Sequence, residues 1–219
     1  MTMTAQTPSD GTYRGHRERQ RRRILVAAQE IFDVRGIDRV TMAEIVAAAG
    51  IRASTLYEYF SNKDEIVWAL VEDFLMQSAD SIRVFTDAVA GPALAKITAL
   101  LQAFGKELVE NPARVRFFAQ FDAMYARDWS VERLLALEEQ IIPGRFEVLA
   151  KLIREGIADG SLRSDLDPDL TMHSVLNAVI GAQRRLASLG NRVEREYGQP
   201  IDLLFRETVR ILLLGMRAN

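Results

Sequence analysis

The chain has 219 residues, 48% of them hydrophobic, enough to bury a core in one large domain or two small ones. It has no cysteine, which excludes disulfides, thiolate metal sites and cysteine nucleophiles. Net charge is only −2, but residues 14–23 hold six arginines and one glutamate, so a basic N-terminal end sits on a mildly acidic body and points to an anionic partner there.

No apolar run approaches the ~20 residues that cross a bilayer. The N-terminal stretch also lacks the apolar core of a signal peptide. A cytoplasmic protein with no membrane partner is expected. Residues 1–13 are small and polar and read as a mobile tail. The arginine run then leads into a helix with Ile24, Ala27, Ala28, Ile31 and Phe32 on one face, ended by Gly36. Cations are mildly unfavourable at a helix N-terminus. Either they only solvate the helix start, or Arg17 and Arg21, one turn apart, hold phosphate.

Thr41 and Glu44 form a capping-box pair at the start of a second helix. Met42, Ile45, Val46 and Ala49 line its apolar face, and Gly50 stops it. A short third helix follows, with Leu56 turned inward and Ser54, Thr55, Tyr57 and Tyr59 turned out. Two short helices joined by a glycine-containing turn are a helix-turn-helix signature. Phe60 closes this small core. Ser61 or Asn62 caps a fourth helix, which runs to about residue 88 before Gly91-Pro92 breaks it.

Beyond that point the sequence shows helical periods and stops, with no strand signal. Leu94, Ile97, Leu101, Phe104 and Leu108 form one stripe, ended at Asn111-Pro112. Phe117, Phe118, Phe121 and Tyr125 form the next, ending near Asp128. A third begins at Val131 and contains Pro143-Gly144, which kinks or splits it. It resumes with Phe146, Leu149, Ile153 and Ile157 as far as Gly160. Asp167 and Pro168 open a helix to about Leu189. A polar, glycine-rich connection then leads to a last helix carrying Ile201, Leu204, Phe205, Val209 and Leu212. The expectation is an all-α chain of about nine helices.

Gly36, Thr41, Ile45, Ala49, Gly50, Ser54, Leu56, Tyr57, Tyr59, Phe60, Lys63 and Ile66 together resemble the DNA-binding motif of the tetracycline-repressor (TetR) family. The likeness covers about 50 residues. Further on it extends to helix count, to the loop from Gly160 to Pro168, and to Gly181. Two residues depart from the usual pattern: Ile37, where an aromatic is common, and Arg52, where a small or polar residue is frequent. The resemblance implies a helix-turn-helix DNA-binding domain at residues 14–66 and a helical effector-binding and dimerisation domain at residues 67–219. It implies a homodimer on palindromic double-stranded DNA, released by a small, largely apolar effector. Thr41 would cap its helix and offer its amide or hydroxyl to a phosphate. Arg52, Ser54 and Thr55 would open the recognition helix, Arg52 taking a base edge or a phosphate. Tyr57 and Tyr59 would meet phosphate or a thymine methyl, unless they cover the core. Lys63 would meet phosphate.

An effector pocket is expected among Phe104, Phe117, Phe121, Tyr125, His173 and Asn177, although ordinary core packing explains each aromatic singly. The last two helices, with Gly181, Phe205 and Leu212, are the expected dimer face. No clustered ligand set suggests a metal, no cofactor is expected, and no acid/base or nucleophile constellation suggests an enzyme. The alternative is a helical module for an apolar ligand or a protein partner, without operator control.

Overall fold

The computed structural model describes residues 10–141 and 143–218; for residues 10–14, 79–88, 145, 146, 148 and 149 it describes the backbone alone. It is all-α, with eleven helices among the described residues and no strand, only an isolated bridge between Leu162 and Arg217. The chain divides into two compact units, residues 1–71 and 72–219.

The first unit holds α1 (Asp10–Arg35), α2 (Met42–Ala49), α3 (Ala53–Tyr57) and the start of α4 (Lys63–Ala88). On α1, Ile24, Leu25, Ala28 and Phe32 are buried, the repeat of an amphipathic helix. Residues 10–13, expected in the tail, belong to α1; residues 1–9 lie outside the described ones. The run Arg-rich from residue 14 extends the helical register upstream, because arginine is a good helix former. Thr41 and Glu44 make the full capping box on α2. Gly50 ends α2 at φ 60°, a left-handed backbone that glycine adopts without a Cβ penalty. Its amide and that of Ile51 turn back to Val46 O. Ile45, Leu56, Phe60 and Ile66 then close the small core, each burial stabilising by about 1.5–3 kcal/mol. Of the two candidate caps of α4, Asn62 is the one whose Oδ1 accepts the Glu65 amide, at 3.0 Å.

The second unit holds the rest of α4, then α5 (Ala93–Glu110), α6 (Pro112–Asp128), α7 (Val131–Ile141), α8 (Arg145–Ala158), α9 (Pro168–Leu189), α10 (Arg192–Tyr197) and α11 (Ile201–Met216). Its core gathers Ile97 and Leu101 from α5, Ile153 from α8, Met172, Val175 and Val179 from α9, and Phe205 and Val209 from α11. Gly105 lets α5 lie against the Phe205 ring: a Cβ there would sit 2.9 Å from Phe205 Cδ1. The N-terminus of α5 follows Pro92, which has no capping side chain. Asp159 accepts the Ala93 amide at 2.9 Å and Ser161 Oγ the Leu94 amide at 3.3 Å instead. Asp167 caps α9 through the Leu170 amide at 2.8 Å, with Pro168 in the first turn.

Two features raise the helix number above nine. Gly144, at φ 64°, separates α7 from α8. The connection before Pro200 contains α10, anchored by a fully buried Val193 in an otherwise polar segment. Phe146 and Leu149 of the α8 stripe lie outside the residues whose side chains are described.

Candidate nucleic-acid interface

The N-terminus of α2 is fixed by a small polar network. The Thr41 amide donates to Glu44 Oε2 at 2.8 Å, its hydroxyl donates to the same oxygen at 2.9 Å, and the Arg35 guanidinium pairs with Glu44 Oε1. The Thr41 amide, then its hydroxyl, then Arg35 hold the Glu44 carboxyl down at about 2, from an ordinary 4.5. A depressed carboxylate stabilises the fold above its ordinary range, and that contribution is lost as pH falls from 4.5 towards 2. Amide protection factors in α2 should therefore decline across that window, and Glu44→Gln should flatten the decline; identical profiles for the two proteins would show that the network does not hold the helix.

Both polar groups of Thr41 are engaged with Glu44 in the DNA-free chain, so the cap is already formed. The first-turn amides of Met42 and Ala43, at the positive end of the helix, remain the donors this cap presents.

Around α3 the outward residues are arranged as follows. Arg52 occupies the N-cap position with an extended backbone and an exposed side chain. Ser54 is exposed and Thr55 half-buried. Tyr57 is 56% exposed, while Leu56 beside it is fully buried. Tyr59 is half-buried, with the Arg17 guanidinium 5.6 Å from its ring centroid, within cation–π range. Arg21, one turn further along α1, is also half-buried. Lys63 Nζ donates to Ile37 O at 2.8 Å and Asp38 O at 3.3 Å, pinning the start of α4 to the turn before α2. The Arg35–Glu44 pair ties the end of α1 to the start of α2, and of the two only Glu44 carries a sequence signal, in the capping-box spacing.

In the second unit the expected pocket residues do not form one set. Phe117 and Phe121 are buried, and Tyr125 and Trp129 both stack on Phe121, at 5.8 and 5.5 Å. Phe104 is half-buried, and its carbonyl accepts from Gln183 Nε2 at 2.7 Å. His173 and Asn177 are exposed, joined by an Asn177 Nδ2 bond to His173 O at 2.8 Å. The inward face of α9 is Met172, Val175, Val179 and Gln183, and the residue after Met172 is turned about 100° away. The polar groups that meet the aromatic face are therefore Gln183 and Arg184. The Arg184 guanidinium lies 5.5 Å from the Phe118 centroid and pairs with Asp122. Burial lowers its pKa to about 10.

The expected dimer residues also separate. Phe205 is 1% exposed and belongs to this chain's own core. Leu212 is half-buried against that core. Gly181 is exposed, with nothing within 4 Å of an added Cβ. Phe205, Val209 and Met216 share the inward stripe of α11, and its outward apolar residues are Leu203, Ile211 and Leu214. Among the described residues no group of three or more His, Cys, Asp or Glu is placed to hold a metal, and no helix is long and apolar enough to cross a membrane.

A capped α2, a glycine turn and a short α3 with an outward polar and aromatic face define a helix-turn-helix DNA-binding transcriptional regulator. Residues 24–70 match the profile of the bacterial regulatory proteins of the tetR family, so the chain carries a DNA-binding segment of that type. It is 28% identical over 178 residues to the HTH-type transcriptional repressor KstR2 of Mycolicibacterium smegmatis, covering 77% of each chain. The fold matches the ketosteroid transcriptional regulator KstR2 of Mycobacterium tuberculosis over 100% of both chains, with a TM-score of 0.65 and 20% identity. It also matches FadR of Bacillus subtilis, solved in complex with stearoyl-CoA, with a TM-score of 0.63 and 21% identity over 88% of this chain and 97% of that one.

Proposed function

We propose that the protein is a cytoplasmic, homodimeric repressor that grips a palindromic operator and lets go when an apolar effector binds its second unit. The outward face of α3 carries this reading. Arg52, Ser54 and Tyr57 are presented to solvent, with Thr55 half-buried beside them, while Leu56 anchors them from behind, so the helix has a reading side and a fixed side. Arg17 over Tyr59 adds a cation beside that face for a phosphate, and Arg21 extends it by one turn. Lys63 positions α4 and keeps its third hydrogen free for a phosphate.

The dimer is supported by α11. Leu203, Ile211 and Leu214 are 43%, 58% and 55% exposed on one side of that helix. Such an apolar stripe is more stable covered, and a second copy covers it symmetrically. Two-fold symmetry then sets the recognition helices about 34–36 Å apart, or a multiple of that spacing. Ile211→Glu with Leu214→Glu should convert the dimer to a monomer in light scattering, with the helical signal retained. A dimer that survives both changes would move the interface elsewhere.

The effector is an apolar molecule bearing an acidic or polar end. The aromatic set Phe117, Phe121, Tyr125 and Trp129 supplies the apolar surface, with Phe104 and Gln183 alongside. Arg184, desolvated and paired with Asp122, places a polar group at its edge. One similar fold is that of a ketosteroid regulator and another holds stearoyl-CoA, both in keeping with a large apolar ligand. α4 is the continuous helix shared by the two units and acts as the lever. The effector shifts the population by its difference in affinity for the two states, about 1–3 kcal/mol.

The test is fluorescence anisotropy with a palindromic duplex selected from a random pool by the protein. Binding that weakens as fatty acyl thioesters or steroid acids are added supports the reading. Binding of those ligands with no change in DNA affinity would leave an apolar-ligand module and overturn operator control.

A further inference from the structure

The arginines of α1 occupy two faces of the helix, and only one of them is near Tyr59. Arg19, Arg22, Arg23, Val26 and Glu30 recur at steps of three and four, so they share a second stripe. That stripe forms one wall of a groove of about 490 Å3, whose other wall is the end of α2 at Ala48, Ala49 and Gly50. Arg23 Nη2 donates to Gly50 O at 3.3 Å, answering a free carbonyl at the negative end of α2. Arg19 and Arg22 are exposed and have no hydrogen-bond or ion-pair partner among the described residues. Val26, 46% exposed, forms an apolar floor.

The single acid in the groove does not neutralise it. Glu30 stands eight residues beyond Arg22 and eleven beyond Arg19, about 12 and 16 Å along the axis. Both separations exceed the Debye length of about 8 Å at physiological salt. The arginine end of the groove therefore stays cationic, not neutralised by Glu30, over an apolar floor, which fits a phosphodiester and its sugar.

The position of the groove selects the phosphodiester. Gly50 stands three residues before α3 begins, and Tyr59 stands two residues after it ends. Arg23 touches the first and Arg17 covers the second. The cations of α1 thus flank the recognition helix at both ends, where the two backbone walls of a major groove would lie. All three groove arginines precede the family-matched segment, which begins at Ile24. We propose that Arg19, Arg22 and Arg23 form a second phosphate clamp, gripping the DNA backbone beside the half-site that α3 reads. This rests on the DNA-binding reading above.

The clamp carries no base information, so it strengthens all duplexes alike. Its test is the double variant Arg19→Ala/Arg22→Ala in the full-length protein, titrated with two fluorescent duplexes, one selected by the wild type and one of arbitrary sequence, between 50 and 200 mM salt. Each phosphate contact contributes about 0.9 to the slope of log K against log salt. The variant should therefore have a slope shallower by about 2–4 per dimer and an affinity on the order of tenfold lower, by the same factor on both duplexes. Arg19→Lys/Arg22→Lys should retain most of the slope. An unchanged slope overturns the clamp, and is the result expected if the groove instead takes an acidic protein segment. A loss confined to the selected duplex also overturns it, because that is base reading. Failure of the underlying reading looks different: the wild type then binds neither duplex.

Discussion

Tyr57→Ala is expected to lower operator affinity from about 30-fold to on the order of 10^4-fold without weakening the fold. Tyr57 is 56% exposed, and truncating an exposed side chain costs the folded state within about 0.5 kcal/mol. Its proposed partner is the DNA, and a good base-edge or methyl contact discriminates by about 1–3 kcal/mol. Two-fold symmetry loses that contact twice, about 2–6 kcal/mol in all, and each 1.4 kcal/mol is tenfold. Anisotropy with the selected duplex measures the loss, and thermal denaturation checks that the midpoint stays put. Tyr59 is a less clean probe, because it is half-buried under Arg17, so removing it disturbs both the small core and a cation. Wild-type affinity in Tyr57→Ala would remove Tyr57 from the interface.

Phe205→Ala should have the opposite signature. The ring is 1% exposed and packs on the gap left by Gly105. Emptying such a site costs about 3–5 kcal/mol. That is a large part of the roughly 5–15 kcal/mol that holds a typical protein folded. At about 2–4 °C per kcal/mol, the denaturation midpoint should fall by about 6–20 °C. Were Phe205 instead a dimer contact, the midpoint would hold at low protein concentration and the monomer–dimer equilibrium would shift. The substitution therefore separates a core role from an interface role.

How much of this was legible depends on the range of the signal. The capping box at Thr41 and Glu44, the turn at Gly50 and the Asp167-Pro168 start are written within a few consecutive residues, and the folded chain uses each as its sequence implies. Helix phase is harder to read. His173 and Asn177 sit on a helix with an apolar face, but one step along α9 moves a side chain by about 100°, and both emerge on the outer side. Phe205 lies on a helix expected at the dimer face, yet the folded chain packs its ring against Gly105 in its own core. α10 carries no helical period in the sequence, because one buried residue, Val193, holds a polar six-residue helix. The arginine run showed its charge plainly. Its division into a Tyr59 side and a Gly50 side needed the neighbouring helices to be in place.

That two copies of this chain hold one duplex through α3 and a ring of phosphate contacts is tested by equilibrium binding of the wild-type protein to the selected palindromic duplex as salt is raised from 50 to 200 mM, with stoichiometry read at saturation. With about 6–10 phosphates engaged, affinity should fall by about 10^3–10^5 across that range, with two chains on each duplex. Affinity that stays level across the same range, or one chain per duplex at saturation, would contradict it.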